Sequence, residues 1–292
     1  MTELRILSAG PLTSVQDAGR PGWLAHGISA SGPMDRGAFA RAGQWIGGAG
    51  ATGIEFTLGL AFETDASLAI GLDGGSYRLT INGQQLAWPT RALLRAGDRV
   101  DIASGPLGNY GYVRFGADIE IDAVLGSCST NTAVGLGGRI LAAGDRLRLG
   151  PPIARRSAPH PRPTAPIEGP FRVVWGLHAD RFSGETRDRF VAEAFVVGTR
   201  LDRMGVQLID RQQVFRGASA LSLVSDAVVP GDIQILGDGT PIVLMRDHQP
   251  TGGYPRIATV IDADLDRFAQ ARPGTEVRFR PVSVARAQGV LK

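Results

Sequence analysis

Short β-forming runs, each closed by a glycine-centred turn, recur along this 292-residue chain and limit what it can fold into. Tyr77 to Thr80 leads into Ile81-Asn82-Gly83, and Ile233 to Leu236 reaches Asp238-Gly239 before Pro241 to Met245. Asn-Gly and Asp-Gly accept positive φ at low cost, so these pairs predict tight hairpins. Ala96-Gly97-Asp98-Arg99-Val100, Ala143-Gly144-Asp145-Arg146-Leu147 and Pro273-Gly274-Thr275-Glu276-Val277 each set a glycine turn before an alternating strand, a modest internal repeat. The 40 glycines, about twice the usual ~7%, are what such frequent turning needs. Helices are few: one capped by Asp35 and stopped at Gly47-Gly48, one from Ser183 to about Ala194, and one near Ala263 to Ala271. The reading is a mainly β protein with two β-barrels and a few short helices. A doubly wound α/β sheet is disfavoured, because no glycine-rich fingerprint follows a strand and opens a helix.

Composition breaks once. Between Gly150 and Pro170 lie Pro151, Pro152, Pro159, Pro161, Pro163, Pro166 and Pro170, which keep the backbone extended and short of donors. The expected organisation is an N-terminal barrel half over 1–150, a connector over 151–170 and a C-terminal barrel half over 171–292.

Charge and cysteine content exclude whole chemistries. The only lysine is Lys292, so no internal lysine can serve a Walker-type phosphate loop, form a Schiff base or carry biotin or lipoate. Any ATP or biotin chemistry is expected on other chains. Cys128 is the single cysteine, which removes internal disulfides and polythiolate zinc sites; a quiet buried thiol is expected there. His26, His160, His178 and His248 show no metal-ligand spacing, so no metal is expected. The net charge of +3 is spread thinly, and its densest group, Arg155, Arg156 and Arg162, lies among prolines, so neither nucleic acid nor a phosphate-tracking stripe is implied. Without an apolar leader or a long apolar run, a cytoplasmic protein with no membrane partner is expected.

Three segments concentrate polar groups around glycine. Thr13 to Gly22 carries Gln16, Asp17 and Arg20, a fixed polar constellation or an Asp17–Arg20 pair bracing a loop. Gly27 to Asp35 holds Ser29, Ser31 and Gly32 ahead of the helix, whose start would either receive an anion or simply be capped by Asp35. Met245 to Thr259 follows an apolar strand and sets Asp247, His248, Gln249, Thr251, Tyr254 and Arg256 around Gly252-Gly253. Glycine lets backbone approach a ligand closely, and consecutive N–H groups can cradle a carboxylate; a solvated glycine turn is the competing reading. Glu55, inside an apolar strand, is either a buried acid or base or an outward-facing residue. Arg203 in Leu201 to Gly205 offers a guanidinium to an anion, or an ion pair.

Together, Thr13 to Gly22, Gly27 to Asp35, Gly53 to Leu60, Gly126 to Asn131, Leu201 to Gly205 and Thr251 to Ile261 resemble the biotin-dependent carboxyltransferase family. That group includes the C-type subunit of 5-oxoprolinase, an antagonist of a sporulation-kinase inhibitor, and the allophanate hydrolase subunit 2 domain of urea carboxylase. Thr-Gly-Gly-Tyr-Pro followed by Ile-Ala-Thr-Val-Ile is its most specific part. The resemblance implies tandem cyclophilin-like β-barrels and a partner of the B type, a homologous protein forming a cleft with this chain. It implies, with an A-type hydrolase as well, an ATP-dependent 5-oxoprolinase that opens 5-oxo-L-proline to L-glutamate, the chain being inactive alone. Asp17, Glu55 and Asp247 are then the candidates for proton handling. Gln16, Arg20, Ser31, Arg203, Gln249, Thr251, Gly252, Gly253, Tyr254 and Arg256 are those for substrate binding. The ATP site is not assigned to a chain. Two alternatives stand: carboxyl transfer from carboxybiotin to a urea-like amide, and a non-enzymatic module that binds a kinase inhibitor.

Overall fold

The computed structural model describes residues 2–154, 161, 168–217 and 223–289. The proline-rich stretch read as a connector, with Arg155, Arg156, His160 and Arg162, falls largely outside them. The chain forms two compact units: Met1–Arg20 with Ser31–Ala165 (the N-terminal unit) and Pro21–Ala30 with Pro166–Lys292 (the C-terminal unit). Both are mainly β, as the turn pattern predicts.

The N-terminal unit contains β1 (Thr2–Ala9), β2 (Ser14–Gln16), α1 (Arg36–Ile46), β3 (Gly53–Thr57), β4 (Gly59–Thr64), β5 (Leu68–Gly74), β6 (Tyr77–Ile81), β7 (Gln84–Leu86), β8 (Thr90–Leu94), β9 (Arg99–Ser104), β10 (Tyr110–Phe115) and β11 (Arg146–Leu149). One antiparallel sheet runs β11-β1-β4-β9-β6-β7 and a second β2-β3-β10-β5-β8. Their alternating inward residues, among them Ile6, Phe56, Phe62, Leu72 and Phe115, form one buried core. The Asn82-Gly83 pair turns with φ of 50° and 80° between β6 and β7, as its sequence requires. Helix α1 is capped by the Asp35 side chain, which accepts from Ala38 N at 2.8 Å, and ends at left-handed Gly47. It lies against β5 where Gly71 has no side chain; a Cβ there would come within 2.0 Å of the Ala42 carbonyl oxygen.

The C-terminal unit contains β12 (Phe171–Trp175), α2 (Gly184–Ala192), β13 (Phe195–Leu201), β14 (Gly205–Ile209), β15 (Asp226–Ala227), β16 (Asp232–Ile235), β17 (Pro241–Leu244), β18 (Thr251–Gly252), β19 (Arg256–Val260), α3 (Asp262–Ala269), β20 (Glu276–Val277), β21 (Phe279–Pro281) and α4 (Val284–Gly289). Its main sheet runs β20-β13-β14-β17-β16-β19-β12-β21, and β15 pairs with β18 alone. The two edge strands, β20 and β21, are separated in sequence only by Arg278. One short chain segment therefore serves both edges, giving a near-closed barrel and leaving little free edge to aggregate. Phe190, Phe195, Phe215 and Phe279 fill this core, with the rings of Phe190 and Phe279 stacked at 5.1 Å. Helix α4 was not foreseen, since its residues carry no apolar stripe; Ser283 starts it by accepting from Arg286 N. Among the described residues no helix is long and apolar enough to cross a membrane.

The three repeated turns share one geometry. Gly97, Gly144 and Gly274 have φ of 84°, 92° and 88°. The residue after each donates to the carbonyl three positions back: Asp98 to Arg95, Asp145 to Ala142 and Thr275 to Arg272.

Candidate functional site

In the N-terminal unit, Asp17 sits at the end of β2 with its carboxylate half-exposed and fully engaged. Oδ1 accepts from Ser127 Oγ at 2.5 Å, Ser129 Oγ at 2.6 Å and Gly19 N at 2.8 Å, and Oδ2 from Cys128 N at 2.6 Å. Burial works to raise its pKa, but these four donors outweigh it and hold the group below the ordinary value. Burial, then the Asp17 charge, pushes the Cys128 thiol up. Arg20 is buried and donates to the carbonyls of Val124 and Ser129 and to Ser31 Oγ. Ser31 holds a left-handed φ of 57°, unusual for a residue with a side chain, beside Gly32 at 84°, which glycine adopts freely. Gln16 donates to Ser14 Oγ at 2.9 Å and Thr130 O at 3.1 Å from a fully buried position.

Glu55, on β3, is fully buried on the face of the sheet opposite Phe56, where it meets the entry to α1. Its Oε2 accepts from Met34 N at 2.7 Å and from the Tyr112 hydroxyl at 2.8 Å, and that hydroxyl in turn accepts from Asp35 N at 2.8 Å. Burial, then the charges of Glu55 and Asp35, drive the Tyr112 pKa well up, so the phenol stays a donor. The arrangement ties the entry of α1 to the sheet and carries Ser31 and Gly32 with it.

In the C-terminal unit the guanidinium of Arg203, in the β13–β14 turn, meets Asp247 in a two-pronged pair. Nε to Oδ2 is 2.9 Å and Nη2 to Oδ1 is 3.0 Å, with both side chains at 0% exposure. The backbone repeats the link, since Asp247 N donates to Arg203 O at 2.7 Å. His248 follows with Nδ1 2.6 Å from Gln249 O; burial lowers its pKa despite that bond and the nearby Asp232 and Asp247. Arg256 on β19 spans Ala227 O at 2.5 Å, Asp226 at 2.6 Å and Asp232 at 3.4 Å, and Thr259 Oγ donates to Asp232 at 2.6 Å. Thr251 and Gly252 form β18 against Asp226 and Ala227, so this segment is a two-stranded ribbon tied down by Arg256.

Beside that ribbon an open cleft of about 610 Å³ lies on the barrel. Leu236, Ile242 and Leu244 are its apolar lining, Gln249 donates to Gln234 within that lining at 3.2 Å, and Tyr254 lines it with 43% exposure. Its size falls within the usual range for small-molecule sites, roughly 300–1,000 Å³.

Residues 26–281 match the carboxyltransferase domain family, subdomains A and B. The chain belongs to that family. Its relatives include the C subunit of Escherichia coli 5-oxoprolinase, 34% identical over 97% of this chain and 93% of that protein, and the Haemophilus influenzae protein of the same name, 32% identical over 97% and 92%. Among solved structures, Kluyveromyces lactis urea carboxylase superposes with a TM-score of 0.86 and 27% identity over 98% of this chain, which spans 28% of that larger protein.

Within this carboxyltransferase domain the expected site residues fall into separate groups. Gln16, Asp17, Arg20, Ser31 and Glu55 lie in the N-terminal unit; Arg203, Asp247, Gln249, Thr251, Gly252, Gly253, Tyr254 and Arg256 lie in the C-terminal unit. Gln249 and Tyr254 line the cleft, while Arg203 and Asp247 do not and are buried in their mutual pair. Sequence reasoning missed Ser127, Ser129, Tyr112, Asp232 and Gln234. The Ser-Cys-Ser-Thr run after Gly126 was a signal for the first two, but the others sit singly in apolar strands and nothing local marks them.

Proposed function

We propose that this chain is the C-type component of an ATP-dependent 5-oxoprolinase, opening 5-oxo-L-proline to L-glutamate with A-type and B-type partners. One observation carries the reading: the C subunit of Escherichia coli 5-oxoprolinase parallels the chain almost end to end, at 97% and 93% coverage. The urea amidolyase of Lachancea kluyveri contains the match within 17% of its length.

In the reaction, a water oxygen bonds to the lactam carbonyl carbon, the ring C–N bond breaks, and the departing nitrogen takes up a proton. ATP activates the amide and supplies the driving force, its terminal phosphoanhydride bond being cleaved with a second water to leave ADP and phosphate. With no internal lysine, this chain offers no phosphate-loop lysine, so a phosphate loop of that kind belongs to a partner. The chain's own contribution is to bind and orient. The cleft beside Gly252-Gly253, Gln249 and Tyr254 takes the substrate, and a B-type protein supplies its second wall. Asp247 and Arg203 hold the strand ends that frame the cleft, and Arg256 holds the ribbon. In the other unit Asp17 and Glu55 keep their loops in place through their hydroxyl and backbone donors.

The test is reconstitution: purified chain with its A-type and B-type partners, 5-oxo-L-proline and ATP, followed by glutamate release. The expected result is ATP-dependent glutamate only from the full mixture. Robust release by the isolated chain, or none from the assembled complex, removes the reading. Transfer of carboxyl to urea when carboxybiotin and urea replace 5-oxo-L-proline and ATP, with no glutamate from the first mixture, would replace it with the carboxyltransferase alternative.

A further inference from the structure

We propose that the turns around Leu12, Leu58 and Leu107 in the N-terminal unit form a docking surface for a second copy of this chain, the two copies paired about a twofold axis. The surface concerns assembly and stands apart from the reaction proposed above.

Three turns meet there. Gly10 N donates to Gly59 O at 2.9 Å and Thr57 Oγ1 donates to the Pro11 carbonyl, which joins the turn after β1 to the β3–β4 turn. Ser104 N donates to Leu58 O at 2.9 Å, and Ser76 N to Leu107 O at 2.6 Å, which brings in the loop between β9 and β10. Gly10 permits the close packing, since a Cβ there would come within 1.8 Å of the Thr57 carbonyl oxygen. Two of the tips repeat one sequence, Gly10-Pro11-Leu12 and Gly105-Pro106-Leu107. Leu141 N donates to Thr13 O at 2.8 Å and sets Ile140 beside the first of them.

What these turns expose is apolar. Leu58, Leu107 and Ile140 are 59%, 65% and 54% exposed, and Pro11, Ala103 and Pro106 are exposed with them. Residues 6–16, 56–62 and 102–113 contain no Asp, Glu, Lys or Arg, and Arg139, next to Ile140, is matched by Asp145. Leu12 and Leu58 also hold left-handed φ of 60° and 59°, a conformation that glycine or asparagine takes at lower cost. An exposed leucine on a left-handed backbone serves neither the core nor the turn, and its gain comes when a partner covers it.

The lack of charge selects the occupant. A twofold axis sets a face against its own copy, so a face carrying one sign of charge repels itself, whereas an uncharged apolar face does not. Exposed apolar residues of the C-terminal unit lack this property: exposed Arg181 follows Leu177 closely, and exposed Arg280 and Arg286 lie on either side of Val284 in the chain.

Sedimentation velocity of the full chain from about 1 to 100 μM tests the pairing. The wild type should pass from monomer to dimer across that range. Leu58→Asp and Leu107→Asp, on separate turns, should each raise the dimer dissociation constant by at least roughly tenfold, the loss expected for an apolar anchor in an interface. Leu177→Asp, in the other unit, should leave it unchanged. Leu58→Asn separates docking from folding. It should weaken the dimer by a similar factor, while its melting temperature, read where both proteins are monomers, stays level or rises because asparagine accepts the left-handed backbone. A lower melting temperature with unchanged association makes Leu58 a structural residue and overturns the proposal. A wild type that stays monomeric throughout the range, or normal dimers in both Asp variants of the turns, does the same. A monomeric wild type whose complex with a B-type protein is lost in Leu58→Asp gives the surface to that partner and removes the second copy.

Discussion

The two units solve the same problem, how to bury charge in a β core, with different donors. In the N-terminal unit, the carboxylates of Asp17 and Glu55 accept from hydroxyls and backbone N–H groups. The buried Arg114 gives its donors to the carbonyls of Thr52, Phe39 and Gly50, and burial pulls it down to about 10 against the opposing charges of Asp118 and Asp17. In the C-terminal unit acids and guanidinium groups seek each other: Arg203 with Asp247, Arg172 with Asp264, Arg256 with Asp232 and Asp226, and Arg246 with Asp262 and Asp266. In the N-terminal unit Arg41 also pairs with the buried Asp73, while its pairs Arg5–Glu63, Arg99–Asp101, Arg139–Asp145 and Arg146–Glu3 lie toward the surface. Neutral donors share the cost of one charge over several bonds. A guanidinium pair concentrates it in two side chains, so losing either strands the other.

This contrast sets the size of each expected effect. Asp247→Ala leaves the Arg203 guanidinium buried without its carboxylate and should cost about 3–5 kcal/mol. Urea denaturation measures it, and joint replacement of Arg203 by Met and Asp247 by Leu should recover much of the loss. If the single and double variants lose equally, the pair is not the unit of stability that its geometry indicates. Tyr112→Phe removes one hydroxyl that serves both Glu55 and Asp35 N, and should cost roughly 1–3 kcal/mol, with the loss seen in thermal melts and α1 otherwise intact. Ser127→Ala should be smallest, about 1 kcal/mol, because three other donors remain on Asp17.

Acid titration sharpens the comparison. Asp17 and Asp264 both have folded pKa values below their unfolded ones; burial opposes the shift in each, overcome by Ser127 and Ser129 at Asp17 and by Arg172 at Asp264. For a depressed carboxylate the stabilisation is complete above the unfolded value, near ~3.9, and is lost as pH falls through the folded value. Ser127→Ala should therefore raise the Asp17 titration midpoint partway toward the unfolded value. Arg172→Met should raise that of Asp264 further, since an ionic donor is lost. Carboxyl carbon resonances followed through the titration would separate the two, and equal shifts would erase the distinction between the units.

Much of the fold was legible because its signals are local. Asp35 and Gly47 bound α1, Ser183 caps α2 by accepting from Thr186 N, and Asn82-Gly83 forms its hairpin. The helix read near Ala263 to Ala271 is α3, running Asp262–Ala269. The site was less legible. Tyr254 and Gln249 were found through the glycines beside them, but Gln234 was not, because a glutamine between two isoleucines reads as an outward strand residue. Only its neighbours across β16, β17 and β18 turn it into a cleft wall.

The sequence by itself determined the β class, the turn positions, the helix caps and the absence of internal lysine chemistry, because these depend on φ preferences and side-chain types within a few residues. Tertiary structure decided the rest. Asp17 meets Ser127 and Ser129 across more than a hundred residues of chain, Glu55 is closed by Tyr112, and Arg203 finds Asp247 rather than an anion from solvent. Burial forces each of these choices, since a charge removed from water must take whichever donor or acceptor the packed strands bring within about 3 Å, and which strands those are is a property of the sheet and not of any segment in it.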